Sequence, residues 1–214
     1  MVYPEVQDSS CRLVNHNEDR RIVRSKRALR AALISLMETK GFEAITVNDL
    51  CSAADLNRGT FYNHFSDKEH LLASFEEEVL GDISHIRDEM STLSVKEVMA
   101  YCLTKNHFHF LVSLFDYFRS QGDFLHAVLG PGGDPGFGSR LRDSFCTTLI
   151  QGVLHEKYRN DPDPFVSYYI SFYASAYLGV ITHWIEMGMK EDSQTMALIA
   201  MRLLFIKPGE PIRL

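Results

Sequence analysis

The chain has 214 residues, of which 45% are hydrophobic, so it can form one or two domains with a buried core. No apolar run reaches the roughly 20 residues that span a bilayer, and the N-terminus lacks a signal-peptide stretch, so we expect a cytoplasmic protein with no membrane partner. The net charge of −6 is unevenly distributed, since residues 20–30 hold six basic groups and no acid, whereas residues 41–214 carry −9. One basic end can therefore meet nucleic-acid phosphate.

The N-terminal region is predicted to be a flexible arm over residues 1–19, followed by a helix. The arm is polar and aperiodic. The helix is predicted from apolar residues at spacings of three and four: Leu29, Ala32, Leu33 and Leu36. Gly41 follows at the position of a C-terminal glycine cap.

Two short helices are predicted next. Thr46 and Asp49 have the spacing of a capping box for the first, and Asn57 is a suitable N-cap for the second, over residues 58–64. Residues 66–69 have the S-x-x-E pattern of a further capping box, which starts a long helix. Two short helices joined by a turn, after a longer first helix, are typical of a helix-turn-helix DNA-binding domain.

The rest of the chain is predicted to be helical and without strands, which gives an all-α fold. The predicted helices are 95–106, 108–121, 138–160, 165–187, which Gly188 closes, and a last helix that Asp192 or Ser193 caps and that runs to residue 206. Segments 130–136 and 161–164, rich in glycine or proline, separate them. We expect a DNA-binding domain over residues 20–68 and a larger helical domain, for effector binding and dimerisation, over residues 69–214.

The exposed side of the second short helix carries the candidate base contacts. Arg58 can make two hydrogen bonds to a guanine, and Gly59 lets the backbone approach the DNA. Tyr62 can reach a phosphate or a thymine methyl group.

Candidate phosphate contacts surround this helix. Thr46 lies at a helix N-terminus, where free N–H groups favour phosphate. Lys68 lies in the first turn of the next helix, where a cation opposes the helix dipole, so a phosphate partner would explain it. Arg24 and Lys26, near the start of the first helix, are candidate clamps on the DNA backbone.

This region resembles the tetracycline-repressor (TetR) family. The resemblance is carried by residues 41–50 (GFEAITVNDL), 53–54 (AA), 58–65 (RGTFYNHF) and 68–72 (KEHLL), within about residues 22–75. It implies an N-terminal three-helix DNA-binding domain and a C-terminal domain that binds a small molecule and dimerises through its last two helices. The DNA-contacting positions of the family correspond to Thr46, Arg58, Gly59, Thr60, Tyr62, His64 and Lys68.

The aromatic residues of the second half suggest an apolar effector site, for which Phe118, Tyr173 and Trp184 are the candidates. Small residues on the helix 165–187 and a stripe on the last helix indicate a four-helix dimer seam. These residues are Ala174, Ala176 and Gly179, beside Tyr177, and Met196, Ile199, Ala200 and Leu203.

We therefore expect a homodimeric, ligand-responsive repressor that binds a palindromic double-stranded operator and uses no cofactor. One alternative is an activator or co-activator whose C-terminal domain binds a protein; another is a DNA-binding module without an effector. An enzyme is disfavoured, because the sequence shows no catalytic triad or acid pair. The four separated cysteines are expected to be reduced, and His107 and His109 face apart on a helix, so no metal site is expected.

Overall fold

The computed structural model describes residues 9–90, 109–146 and 164–203. Every regular element in these ranges is helical, which confirms the predicted all-α class. The elements are α1 (Ser9–Lys40), a 3₁₀ turn (Phe42–Ala44), α2 (Val47–Ala53), α3 (Arg58–Tyr62), α4 (Lys68–Met90), α5 (His109–Ser120), α6 (Gly122–Leu129), α7 (Phe137–Leu141), a π-helical turn (Arg142–Cys146), α8 (Pro164–Glu186) and α9 (Ser193–Leu203). The chain divides into two compact units, Met1–Ala73 and Ser74–Leu214, and the division falls inside α4.

The first helix is longer at its start than the sequence predicts. Residues 9–19, predicted to lie in an irregular arm, continue α1. No glycine or proline lies between Ser9 and Lys40, so nothing in the sequence stops the helix, and a polar, aperiodic pattern shows only that no buried face is expected there. At its other end, Gly41 has a φ of 75° and donates to Met37 O at 3.0 Å, as predicted for a glycine cap.

The first unit is built around a small apolar core. Its residues come from all of its helices and are buried: Leu29, Ala32, Leu33 and Met37 from α1, Leu50 from α2, Phe61 from α3, and Phe65 and Leu71 beyond it. The predicted inward face of α1 is confirmed except at Leu36, which is only half-buried, because the adjacent Met37 takes the core position.

In the second unit, α5 packs against α9 and α6 packs against α8. The largest buried side chains are aromatic: Phe115, Phe118, Phe124, Phe137 and Trp184. The Phe115 and Trp184 rings meet edge to face, with centroids 5.4 Å apart. None of the described helices is both long and apolar enough to cross a membrane.

The predicted helix ends in this unit are largely confirmed. Pro164 begins α8, which suits a residue without an N–H. Gly188, with a φ of 79°, donates to Ile185 O at 3.0 Å and closes α8, and Asp192 caps α9 by accepting from Thr195 N–H at 2.7 Å. The predicted helix 95–106 lies outside the described residues, as does most of the predicted helix 138–160.

The helix α6 is not predicted from the sequence. It follows α5 after a turn at Gln121 and begins at Gly122. A Cβ atom at Gly122 would lie 2.2 Å from Met189 Cε, so this position admits no side chain while Met189 stays in place. The contact joins residues far apart in the chain, and a local pattern cannot reveal it.

Candidate nucleic-acid interface

The start of α2 is fixed by reciprocal hydrogen bonds between Thr46 and Asp49. The Asp49 N–H donates to Thr46 Oγ1 at 3.2 Å, while the Thr46 N–H and hydroxyl donate to Asp49 Oδ2 at 2.8 and 2.7 Å. Lys40, at the end of α1, donates to the same oxygen at 2.6 Å. Lys40 first, and then Thr46, hold the pKa of Asp49 well below its usual range. The predicted capping box is confirmed, and it also ties α2 to α1.

The turn between α2 and α3 has the hydrogen bonds of a Schellman motif. Leu56 N–H donates to Cys51 O at 2.9 Å, and Asp55 has a φ of 53°, in the left-handed region. Asn57 then caps α3, as predicted, because its Oδ1 accepts from Thr60 N–H at 2.7 Å. Local hydrogen bonds therefore hold α2 and α3 as two short helices joined by a tight turn.

The helix α3 has a buried side and an exposed side. Phe61 is fully buried, and its ring centroid lies 5.8 Å from that of the buried Phe65. Arg58, Gly59 and Tyr62 are exposed. Arg58 Nη2 donates to Tyr62 Oη at 3.1 Å, and the guanidinium carbon lies 5.6 Å from the Tyr62 ring centroid. A short helix that exposes a cation, a glycine and an aromatic hydroxyl is suited to a DNA major groove.

Comparison with known families agrees with this geometry. Residues 24–75 match the family described as bacterial regulatory proteins, tetR family, and residues 105–205 match the TetR transcriptional regulator C-terminal region. The chain belongs to the TetR family of transcriptional regulators. Members of this family are DNA-binding transcription factors rather than enzymes.

Individual relatives are similar over parts of the chain. Two uncharacterised HTH-type transcriptional regulators of Bacillus subtilis strain 168 match it: YxbF is 33% identical over 66 residues, and YerO is 30% identical over 100 residues. These matches cover 30% and 45% of this chain but only 17% and 32% of YxbF and YerO, so the chain spans less than a third of the length of these relatives.

Solved structures share the fold over most of the chain. A TetR regulator from Streptococcus agalactiae 2603V has a TM-score of 0.54 at 22% identity, covering 89% of this chain and 98% of its own. The fatty acid degradation regulator FadR from Bacillus halodurans has a TM-score of 0.57 at 18% identity, covering 87% and 97%. The dihydroxyacetone kinase operon activator DhaS has a TM-score of 0.53 at 20% identity, covering 84% and 93%.

The predicted DNA-contacting residues of this TetR-family protein differ in the exposure of their side chains and in the hydrogen bonds that these side chains already make. Arg24 and Lys26 are exposed on α1, and Thr60 and His64 are half-buried. The Thr46 hydroxyl both donates and accepts within the capping box, so a phosphate at this position would compete with Asp49 for it. These DNA contacts stay predictions.

The sequence argument for Lys68 is not supported by its surroundings. Lys68 Nζ donates to Phe42 O at 3.0 Å and Glu43 O at 2.9 Å, and it lies 4.8 Å from the Phe42 ring centroid. Its side chain is only 16% exposed. Two carbonyl oxygens of the 3₁₀ turn therefore account for a cation in the first turn of α4, and no phosphate is needed to explain it.

The cap of α4 is also one residue later than predicted. Asp67 Oδ1 accepts from His70 N–H at 2.7 Å, so Asp67 is the capping residue rather than Ser66. The Ser66 hydroxyl donates to Asp67 Oδ2 at 2.9 Å, and the Ser66 N–H donates to His70 Nδ1 at 3.2 Å. His70 thus takes the place that the sequence pattern gave to Glu69.

Two of the three predicted effector contacts are core residues. Phe118 and Trp184 are buried, and Trp184 Nε1 donates to Glu191 O at 3.1 Å, so its one polar group is already satisfied. Arg119 also donates to Glu191 O, and its guanidinium lies 5.3 Å from the Trp184 ring centroid. Tyr173 is half-exposed. An effector could reach Phe118 or Trp184 only by displacing this packing.

The predicted dimer stripe is partly wrong. Ala174, Tyr177, Met196 and Ala200 are buried within their own chain, and Tyr177 Oη donates to Ala200 O at 2.7 Å, which ties α8 to α9. A helical pattern of apolar residues does not distinguish a face that packs on its own chain from one that awaits a partner.

One polar cluster was missed by sequence reasoning. Glu76 Oε2 accepts from Arg140 Nη2 at 2.6 Å, Arg140 also donates to Asp134 at 2.7 Å, and Asp134 accepts from Gly136 N–H at 2.8 Å. Glu76 is four residues after Leu72 and three before Val79, both buried, so its charged side chain occupies an apolar position of α4. That interruption is the signal by which the sequence could have revealed it.

Proposed function

We propose that this TetR-family regulator is a cytoplasmic, ligand-responsive repressor that acts as a homodimer on a palindromic operator. Each subunit would place α3 in the major groove, with the two helices about 34 Å apart in successive grooves. The observation that carries this proposal is the exposed side of α3, where Arg58, Gly59 and Tyr62 stand above the buried Phe61.

An exposed apolar face on α8 supports the homodimer. Tyr168 is 76% exposed and Phe172 is 68% exposed, and further residues at helical spacing on α8 are also exposed: Ala176 and Gly179. Met187, in the turn that follows α8, is exposed as well. Among the described residues, no atom lies within 4 Å of a Cβ built at Gly179, so a second helix has room to approach this part of the surface. Leu198 and Leu203 are exposed on α9. Apolar surface of this kind marks a protein contact, and a second copy would bury the same face from both sides.

The polar cluster of Glu76, Asp134 and Arg140 supports the proposal that the protein responds to a ligand. Glu76 is buried, and its Oε1 accepts no hydrogen bond from the residues that the structure describes. A buried carboxylate oxygen without a donor is costly, so a molecule that supplies an N–H or O–H donor would be stabilised there. Glu76 lies on α4, three residues after the division between the units, so an effector at this position would act on the helix that both units share. Such coupling typically amounts to about 1–3 kcal/mol.

The test is binding of the purified protein to the DNA upstream of its own gene, compared with scrambled DNA of equal length, over a range of salt concentrations. We expect tight, sequence-selective binding by a dimer, and we expect Arg58→Ala to weaken it while Lys190→Ala, exposed in the second unit, leaves it unchanged. Weak binding without sequence preference would contradict a specific repressor.

A second measurement addresses the effector. Metabolites with amine or hydroxyl groups are screened for a rise in melting temperature, and those that raise it are added to the DNA complex. We expect a ligand that stabilises the protein to release the operator. A ligand that stabilises it without changing operator affinity would contradict the switch.

Activation is the alternative that the fold leaves open. DhaS, which is named as an operon activator, shares this fold, so the fold is compatible with activation as well as with repression. A reporter gene behind the bound site decides between them, because deletion of a repressor raises reporter expression and deletion of an activator lowers it. If the C-terminal domain binds a protein instead of a metabolite, small molecules should leave DNA affinity unchanged.

A further inference from the structure

Arg58 and Tyr62 are one helical turn apart on α3 and contact each other in two ways. Arg58 Nη2 donates to the Tyr62 hydroxyl at 3.1 Å, and the guanidinium carbon lies 5.6 Å from the centre of the Tyr62 ring. The hydrogen bond and the ring therefore constrain the guanidinium at two points, although both side chains are exposed.

The Tyr62 ring is itself supported from below. It meets the fully buried Phe61 ring edge to face, with centroids 5.5 Å apart and planes at 89°. The Asn57 cap holds the first turn of α3 through the Thr60 N–H. Gly59, next to Arg58, adds no side chain to this surface.

We infer that Tyr62 is a positioning residue for Arg58: its hydroxyl holds the guanidinium in the orientation that reads a base. A guanidinium has five N–H donors, of which Tyr62 uses one and a guanine edge needs two. A free arginine side chain loses rotamer freedom when it binds, so one that is already held binds its base more tightly and selectively. The inference rests on the proposed role of α3 in DNA binding and deepens it, since it makes specificity at one base pair depend on a residue that does not touch that base.

A direct contact between Tyr62 and a phosphate is the competing role, and it has different consequences. A phosphate contact adds affinity for every DNA sequence and contributes to the salt dependence of binding. Positioning acts only through Arg58, so it affects one base pair and has no effect once Arg58 is gone. A double-mutant cycle separates the two roles.

The experiment uses the full chain and a randomised DNA duplex pool as the probe. Wild type and Arg58→Ala each select binding sites from this pool. The base pair that wild type prefers and Arg58→Ala does not is the base pair that Arg58 contacts. Affinities of wild type, Tyr62→Phe, Arg58→Ala and the double variant are then measured for the wild-type site and for that site with this base pair replaced. Tyr62→Phe keeps the ring and removes only the hydroxyl. Tyr117→Phe is the matched control, because it removes a tyrosine hydroxyl that donates a hydrogen bond to Asp82 in the second unit.

We expect Tyr62→Phe to lower the preference for the correct base pair by about three- to tenfold, the size of one hydrogen bond, with an unchanged salt slope and no further loss in the Arg58→Ala background. Equal losses on both sites that persist without Arg58 would overturn the inference in favour of a phosphate contact, and an unchanged preference would also overturn it. If Arg58→Ala selects the same site as wild type, the proposed base contact of Arg58 fails together with the inference; if only Tyr62→Phe has no effect, the base contact stands and the inference alone fails.

Discussion

Glu76 Oε2 accepts a hydrogen bond from Arg140 Nη2 at 2.6 Å, whereas Glu76 Oε1 has no donor among the described residues. Arg140 also pairs with Asp134, which accepts a second hydrogen bond from the Gly136 N–H. The Arg140 guanidinium thus donates to two carboxyl groups, and Asp134 accepts more hydrogen bonds than Glu76 does. Burial raises the pKa of Glu76 to about 7; Arg140 opposes this rise and Asp134 adds to it.

Replacement of Glu76 by glutamine should remove a pH-dependent part of the stability. The pKa of Glu76 in the folded protein, about 7, lies above its ordinary value of 4.5, so the folded state holds the proton more tightly. Stability from this proton is fully present below the ordinary value and is lost as the pH rises through about 7. Between pH 5 and 8 the melting temperature of wild type should fall by a few degrees more than that of Glu76→Gln.

The neighbouring Glu77 offers a matched control for this titration. Glu77 is exposed, and the Glu77→Gln variant loses the same charge from the same helix. Its melting temperature should follow the wild-type pH profile. Parallel profiles for wild type and Glu76→Gln would show that Glu76 does not take up the proton.

Alanine at Gly133 should destabilise the loop that carries Asp134. A Cβ atom at Gly133 would lie 2.0 Å from Val128 O, a backbone atom that accepts the Asp134 N–H at 3.0 Å. The loop backbone must therefore shift, at a cost of about 2 kcal/mol or more in the free energy of unfolding. Chemical denaturation measures this cost.

Gly81 provides the opposite case. It lies in α4, and no atom of the part of the chain that the structure describes is within 4 Å of a Cβ built there. Gly81→Ala should stabilise the protein by roughly 0.5–1 kcal/mol, because alanine loses less backbone entropy in a helix. If Gly133→Ala were as stable as Gly81→Ala, the short distance between a Cβ at position 133 and Val128 O would have no energetic consequence.

What the sequence predicts correctly here depends on hydrogen bonds between near neighbours. The Thr46–Asp49 capping box, the Asn57 cap and the left-handed Gly41 each involve residues at most four apart, so residue type and spacing are sufficient to find them. Pro164 at the start of α8 follows from the same kind of local rule.

What the sequence does not predict depends on partners that are distant along the chain. Lys68 meets carbonyl groups 25 and 26 residues earlier, and Arg140 meets a carboxylate 64 residues earlier. Both cations look like solvent-exposed or DNA-binding groups until the fold brings these acceptors to them. The prediction that Met196 lies in a dimer seam is wrong for the same reason, since the spacing of apolar residues does not tell which helix covers Met196.

A charge on the exposed face of α8 should separate the proposed dimer. Phe172 is 68% exposed, and Phe172→Glu would place a carboxylate in an apolar contact between two copies. Light scattering should give twice the chain mass for wild type and the single chain mass for the variant, whose affinity for a two-half-site operator should fall by at least tenfold.

Lys190→Gln changes the net charge by the same amount at an exposed turn after α8. It should stay dimeric and bind DNA like wild type. A Phe172→Glu variant that keeps the dimer mass would show that this face of α8 is not the interface.

Lys68→Met should lower stability without changing the salt dependence of DNA binding. Methionine keeps an apolar stem beside the Phe42 ring but removes the donors to Phe42 O and Glu43 O, which should cost about 1–3 kcal/mol in the free energy of unfolding. Lys26→Met, at an exposed site on α1, should have the opposite signature, with unchanged stability and a salt slope shallower by about 0.9. Thermal unfolding and salt-dependent DNA titration of the two variants measure both quantities.

A Lys68→Met variant with wild-type stability and a shallower salt slope would show that Lys68 leaves the carbonyl groups to contact phosphate, as the sequence predicts. Lower stability with the wild-type salt slope would show that Lys68 holds the 3₁₀ turn against the start of α4.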